Sequence, residues 1–273
     1  MTGVETQLQD ALAKRFGSAV DVPPDLPGVD SLLRMVEHSS QRRWAAAAVP
    51  PELTRLLAAC ALCAPTKSYL QQADIVDVRD PAQRAALTAL TPSMPWLADA
   101  PALLVFCGNG RRFKRLFERA GQPFSNDHLD SFFNATVDAS LVMMNFINAA
   151  AALGLVSCPI SLLRNQADSL AQILALPERV VPVAGLCIGY PAASTALNPR
   201  LPLAATFHTD RIGAVDDDPA VDGFDARYIA ARAAQSAGAA PPRAWSAERV
   251  HQYAAPQRED WGRFVRDQGF DLR

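Results

Sequence analysis

Two short stretches carry residues able to bind an anion. The first is His38-Ser39-Ser40-Gln41-Arg42-Arg43 and the second Ala64-Pro65-Thr66-Lys67-Ser68-Tyr69-Leu70-Gln71. Each is a turn rich in hydroxyl and basic groups, framed by segments that can enter a core. A third cationic point stands at Leu197-Asn198-Pro199-Arg200-Leu201-Pro202, where two prolines restrict the backbone around Arg200. Arginine guanidinium groups with serine hydroxyls make a good phosphate site, because planar N–H forks match phosphate oxygens. A phosphate-bearing ligand would satisfy all three stretches.

Other chemistry finds less support. Cys60-x-x-Cys63 lies in the last turn of an apolar helix, where the helix field opposes a thiolate, and is expected to be structural. Cys107, Cys158 and Cys187 fall in strands and read as small core residues. The four histidines (His38, His128, His208, His251) have no metal-ligand spacing, so no metal is expected. There is no GxSxG or GxGxxG, and Gly108-Asn109-Gly110 is a plain turn.

The elements that must position these groups follow from periodicity. Helices are expected at 4–16, at Val29 to Glu37 and from Pro50-Pro51 to about Ala64-Pro65, the last with Leu53, Leu56, Leu57 and Cys60 inward. More follow at Pro81–Leu90, Arg111–Arg119 and Asp127–Leu153. The last is apolar around most of its circumference and so buried in the fold or in a subunit interface. Strands are expected at Ile75–Val78, Leu103–Cys107, Leu155–Ile160 and Val181–Ile188. Beyond Leu203, loops at 216–219 and Ser236–Pro242 flank a helix near Phe224–Ala234, and two short helical stretches follow. This tail is too poor in apolar residues to fold alone and is expected to wrap another surface.

With 273 residues, 49% apolar and 20% charged, the chain has the composition of a globular protein. A net charge of -2 gives no pull toward nucleic acid or anionic lipid. No apolar run long enough to cross a bilayer is expected, nor a signal peptide, and five cysteines suggest no disulfide framework; the reading is cytoplasmic.

In order and spacing, four landmarks resemble the nitroreductase family of FMN-dependent oxidoreductases, particularly its oxygen-insensitive NADPH nitroreductase and flavin reductase group. They are His38…Arg42; Ser68-Tyr69-Leu70-Gln71; Leu153-Gly154-Leu155 with Leu163-Arg164-Asn165; and Leu176-Pro177-Glu178…Pro182-Val183-x-Gly185-Leu186-Cys187-x-Gly189-x-Pro191, leading into Pro199-Arg200-Leu201-Pro202. The resemblance implies an α+β fold with a central, mostly antiparallel sheet flanked by helices, in an intertwined homodimer. It divides the chain into an N-terminal helical extension (1–28), an FMN-binding core (29–212) and a C-terminal extension that wraps the partner subunit (213–273). It implies one FMN per site and ping-pong two-electron transfer from NADPH or NADH to a small aromatic or quinone-like acceptor. The flavin carries the reaction, so no catalytic residue of the protein is expected.

By position, the resemblance gives His38, Ser40 and Arg42 to the phosphate and ribityl chain, with Arg200 closing on the phosphate. It lays Thr66 and Ser68 along the ribityl or ring edge, and Pro159, Ile160, Ser161 and Leu162 against the isoalloxazine. The chain departs from the family at several points. Ser39 replaces an arginine, Met94 a glutamine, Ser161 and Leu162 paired glycines, and Asn198 a lysine. Lys67, where a small hydroxyl residue is usual, is hypothesised to restore one of the missing charges. The tandem arginines for the nicotinamide 2′-phosphate are replaced by Pro241-Pro242, leaving Arg243 beside them. A family member that binds flavin or another ligand without reductase turnover is the alternative reading.

Overall fold

The computed structural model describes residues 3–213, 216–235 and 241–273. Its backbone divides into two units, residues 1–39 with 195–257, and residues 40–194 with 258–273.

The second unit is organised by its sheet. β1 (Ala73–Asp77), β2 (Ala102–Asn109), β3 (Val156–Ile160) and β4 (Val180–Gly189) pair in the order β1-β2-β4-β3, antiparallel throughout. β2 is buried along its whole length and β4 nearly so, which is why both read as continuous apolar runs. Alternate residues of β2 serve different layers. Leu104 and Phe106 join Leu57, Ala139, Val142 and Phe146, whereas Leu103, Val105 and Cys107 join Leu87, Leu97, Ile160 and Leu170. The first layer holds α3 (Pro51–Ala61) and α6 (Leu129–Ala152). Phe106 and Phe146 meet edge to face at 5.6 Å, and each buried ring contributes about 1.5–3 kcal/mol. Gly108 lets α6 approach closely, because a Cβ there would stand 2.9 Å from the Ala135 backbone. α6 stops at Gly154, whose φ of 74° suits glycine.

α6 is long and apolar enough to cross a membrane by length and composition, contrary to the expectation that no run is. It carries Asp138 and packs on the sheet through Ala135, Ala139, Val142 and Phe146. α4 (Pro81–Ala89) opens on Asp80, whose carboxylate accepts the Gln83 N–H at 2.8 Å. α5 (Arg111–Ala120) follows β2. α7 (Ala167–Ile173) was not expected, since seven residues are too few to establish a period. α11 (Trp261–Asp267) closes this unit through Phe264 and Val265.

The first unit is helical. α1 (Gly3–Phe16) buries Glu5, Leu8, Ala11 and Arg15, a stripe spaced three, three and four. α2 (Val29–Glu37) starts after Gly28. α8 (Leu203–Thr206), α9 (Asp218–Gln235) and α10 (Trp245–Tyr253) form its remainder, with Phe224 packed edge-on against Trp245 at 5.3 Å. Of the loop expected at Ser236–Pro242, residues 236–240 lie outside the described residues.

Two expectations for α3 need correction. It ends at Ala61, short of Ala64-Pro65, and its buried face is Thr54, Leu57 and Ala61. Leu56, Cys60 and Cys63 are exposed, so the cysteine pair is not core. The apolar stripe of α3 is wider than its own core, and the surplus faces outward.

Candidate functional site

The first unit gathers His38, Ser39, Asn198 and Arg200. His38 leaves α2 in an extended conformation and is half-buried. Ser39 Oγ hydrogen bonds with Thr195 Oγ1. Arg200 donates its backbone N–H to the Arg15 carbonyl at 2.6 Å, leaving its guanidinium exposed. Arg15 holds the group together from beneath, donating to the carbonyls of Val36 (2.8 Å), Asn198 (2.7 Å) and His38. Burial, then Arg15 and Arg200, push the His38 imidazole below its ordinary pKa. No carboxylate is among those influences. A donor set of guanidinium, imidazole and hydroxyl without an opposing acid suits a phosphate monoester.

Arg15 does not stand out in the sequence, as one of two basic residues in the last turn of α1. The signal was its spacing from Leu8 and Ala11, which puts it on the buried stripe.

Within the second unit, Gln41 donates its N–H to Ser157 of β3 at 3.0 Å, and Trp44 bridges to Pro191. Ser40 and Arg42 are therefore laid beside β3, with the exposed Arg42 guanidinium 5.6 Å from the Trp96 ring centroid. Burial raises the Cys158 thiol pKa, and neighbouring Arg42 opposes the shift. Met94 is half-buried and packs against the core layer that contains Leu97. At the end of β3, Pro159 faces outward and Ile160 points into the core, as strand alternation requires, and Ser161, just past the strand, is exposed. Leu162 packs partly on the same layer and opens a short 3₁₀ turn, Leu162–Gln166. Ser157 Oγ, Trp44 Nε1 and Arg164 Nε are buried near this segment without protein partners, so polar capacity is left for a ligand.

Thr66, Lys67 and Ser68 occupy the turn between α3 and β1. Ser68, Tyr69 and Gln71 have φ of 47°, 60° and 51°, each a strain of about 1–3 kcal/mol. Asp138, 0% exposed on α6, pins this turn by accepting the N–H groups of Lys67 (2.9 Å) and Gln72 (3.1 Å). An acid in the middle of an apolar helix is the signal for it, since a buried carboxylate needs donors. The turn borders a cleft of about 690 Å³ lined by Thr66, Tyr69, Gln71, Arg112, Arg115 and Leu116. The Lys67 side chain is exposed and makes no ion pair among the described residues.

One chain does not unite these last two groups. Thr66–Ser68 lead into β1 and Pro159–Leu162 end β3, at opposite edges of a four-stranded sheet. Three strand spacings separate those edges, about 14 Å. Arg243 stands exposed ahead of α10 in the first unit. Among the described residues no group of three or more His, Cys, Asp or Glu could hold a metal ion. Burial, with Asp74 adding, pushes the Cys107 thiol up to about 12, leaving it inert at neutral pH.

Residues 35–190 match the family model described as Nitroreductase family, and residues 198–273 match its C-terminal domain. The chain belongs to the nitroreductase family. It is 31% identical over 186 residues to an FMN reductase (NADPH) of Bacillus subtilis, covering 67% of this chain and 75% of the relative. It is 30% identical to an oxygen-insensitive NADPH nitroreductase of Salmonella typhimurium, over 66% and 73% of the two chains. Among solved structures, NfrA2 of B. megaterium superposes with a TM-score of 0.85 at 28% identity, covering 89% of this chain and 99% of that one. The nitroreductase NfrA1 of B. subtilis gives 0.82 at 26%, covering 88% and 99%. The nitroreductase fold therefore includes the sheet and the helices around it, whereas α1 and most of α2 precede the matched region.

Proposed function

We propose that this nitroreductase-family protein is an FMN-dependent NAD(P)H oxidoreductase that reduces nitroaromatic, quinone or flavin acceptors in a ping-pong cycle. The observation that carries the reading is the acid-free cluster of His38, Ser39 and Arg200, held in place by backbone hydrogen bonds in a family whose named relatives are FMN reductases. FMN, when bound, supplies the two-electron chemistry, accepting hydride from a nicotinamide and reducing an acceptor.

The chain's residues bind and frame the cofactor. His38 and Arg200 hold the phosphate, with Ser39 and the Asn198 segment bordering it. The family resemblance gives Ser40 and Arg42 to the ribityl chain. Pro159, Ser161 and the Ile160 and Leu162 backbone frame the ring, with Met94 nearby. Thr66, Lys67 and Ser68 reach the same flavin from a second copy, because in their own chain they stand at the far edge of the sheet. The functional unit is accordingly an intertwined homodimer, with the part of the C-terminal extension ahead of α11 reaching the partner. Arg243 faces the nicotinamide phosphate. The protein works in the cytoplasm on small molecules, without nucleic acid or membrane partners.

The experiment is anaerobic addition of NADPH or NADH to FMN-loaded protein. Bleaching, with colour restored by a nitroarene or quinone, is the expected result. Flavin that binds yet stays oxidised would favour a binding protein without turnover.

A further inference from the structure

α1 precedes the family-matched region, yet its last turn is built into the anion cluster. Arg15 is 4% exposed, and its Nε, Nη1 and Nη2 each donate to a main-chain carbonyl, those of Val36, Asn198 and His38. These carbonyls belong to the two segments that carry His38 and Arg200. The Arg15 carbonyl works in the opposite direction, accepting the Arg200 N–H at 2.6 Å and Arg227 Nη1 at 3.1 Å. Arg227 Nη2 then donates to the Arg200 carbonyl at 2.8 Å, so the backbone of Arg200 is held on both sides. Gly17, with φ of 77°, leaves room for this arrangement, since a Cβ there would lie 2.6 Å from Arg227 Nε. No carboxylate is among the hydrogen-bond acceptors of Arg15. Burying a guanidinium without a counter-charge is costly, and a bound anion would offset part of that cost.

We propose that Arg15 is a positioning residue of the flavin phosphate site, its planar fork fixing the His38 and Asn198–Arg200 backbones at the spacing that a phosphate requires. The inference rests on the FMN reading above and adds to it. Through α1, the chain recovers cationic character and rigidity at a site where the family's lysine and arginine are Asn198 and Ser39. Each of the three Arg15 nitrogens is turned to a carbonyl of the segments that carry His38 and Arg200, so the role assigned to it is to hold those segments rather than to bind the ligand. Its effect must therefore pass through its neighbours and be specific to the phosphate end.

Titrating apoprotein with FMN and with riboflavin, which lacks the phosphate, separates this role from general stability. Wild type should prefer FMN. Arg15→Met removes both fork and charge, and Arg15→Lys keeps the charge without the fork. Both should weaken FMN by about tenfold to a hundredfold while riboflavin affinity changes by about twofold or less. Equal losses for the two ligands, or an unchanged preference for FMN in both variants, would overturn the inference. Should the variants not fold, hydrogen exchange on wild type decides. FMN, but not riboflavin, should slow amide exchange in the last turn of α1, and indifference to FMN there would also overturn it. Wild type that binds no flavin defeats the underlying FMN reading first, and this inference with it.

Discussion

Arg200 and His38 show how single residues carry the site. Arg200 has its backbone held by Arg15 and Arg227 while its guanidinium stays exposed, which is the arrangement of a ligand-binding arginine. Arg200→Ala should raise the FMN dissociation constant by about tenfold to a hundredfold, read by flavin fluorescence quenching, with little change in melting temperature. His38 makes a pH prediction. Burial, Arg15 and Arg200 hold its folded pKa below the ordinary value, so the unfolded chain takes up the proton more readily. The resulting stability is present above about pH 6.5 and is lost as pH falls through the folded pKa. Apoprotein melting should therefore drop between about pH 7.5 and 5.5, and His38→Gln should reduce the drop. An unchanged pH profile in that variant would contradict it. Both residues were legible in the sequence, because basic groups beside serines and prolines are unsuited to a core. Arg15 was not, since its partners are carbonyls 21 and 183 positions away.

The elements were mostly readable, and their errors have physical causes. The fully buried β2 and β4 announced themselves as apolar runs, and Gly154 marked the end of α6. The last turn of α3 reads as core from its periodicity, yet its apolar residues are spread over a buried face and an exposed one. The strained turn after it was invisible in local propensity, because the residue that fixes it, Asp138, lies some seventy positions away. Asp138→Ala would leave the Lys67 and Gln72 N–H groups without an acceptor, at about 1–3 kcal/mol. The turn should then relax, lowering the melting temperature by several degrees and weakening FMN as well. Loss of stability with full retention of FMN affinity would separate this turn from the site.

Across the whole molecule, the distribution of exposed apolar residues points to a second copy. Leu56 (55% exposed) and Leu62 on the α3 side join Phe133 (59%), Leu141 and Met144 of α6, and the same unit presents Tyr69 (84%) beside the 690 Å³ cleft. Such exposure is unusual for a monomer and fits a subunit interface. If the proposed homodimer forms through this face, Phe133→Glu should yield a folded monomer by sedimentation with sharply reduced FMN binding, since the proposed site takes its Thr66–Ser68 turn from the second copy. A monomeric variant that binds FMN like wild type would show the site to be complete in one chain. What the sequence could not supply is the separation of Thr66–Ser68 from Pro159–Leu162, because the sheet order that puts β1 and β3 at opposite edges is a property of the fold.

The most direct test is a titration of colourless apoprotein with FMN, following flavin absorbance and melting temperature together. Saturation at one FMN per chain, two per dimer, with a clear gain in melting temperature is the predicted result. Protein that stays colourless in excess FMN, with no thermal gain, would contradict the account.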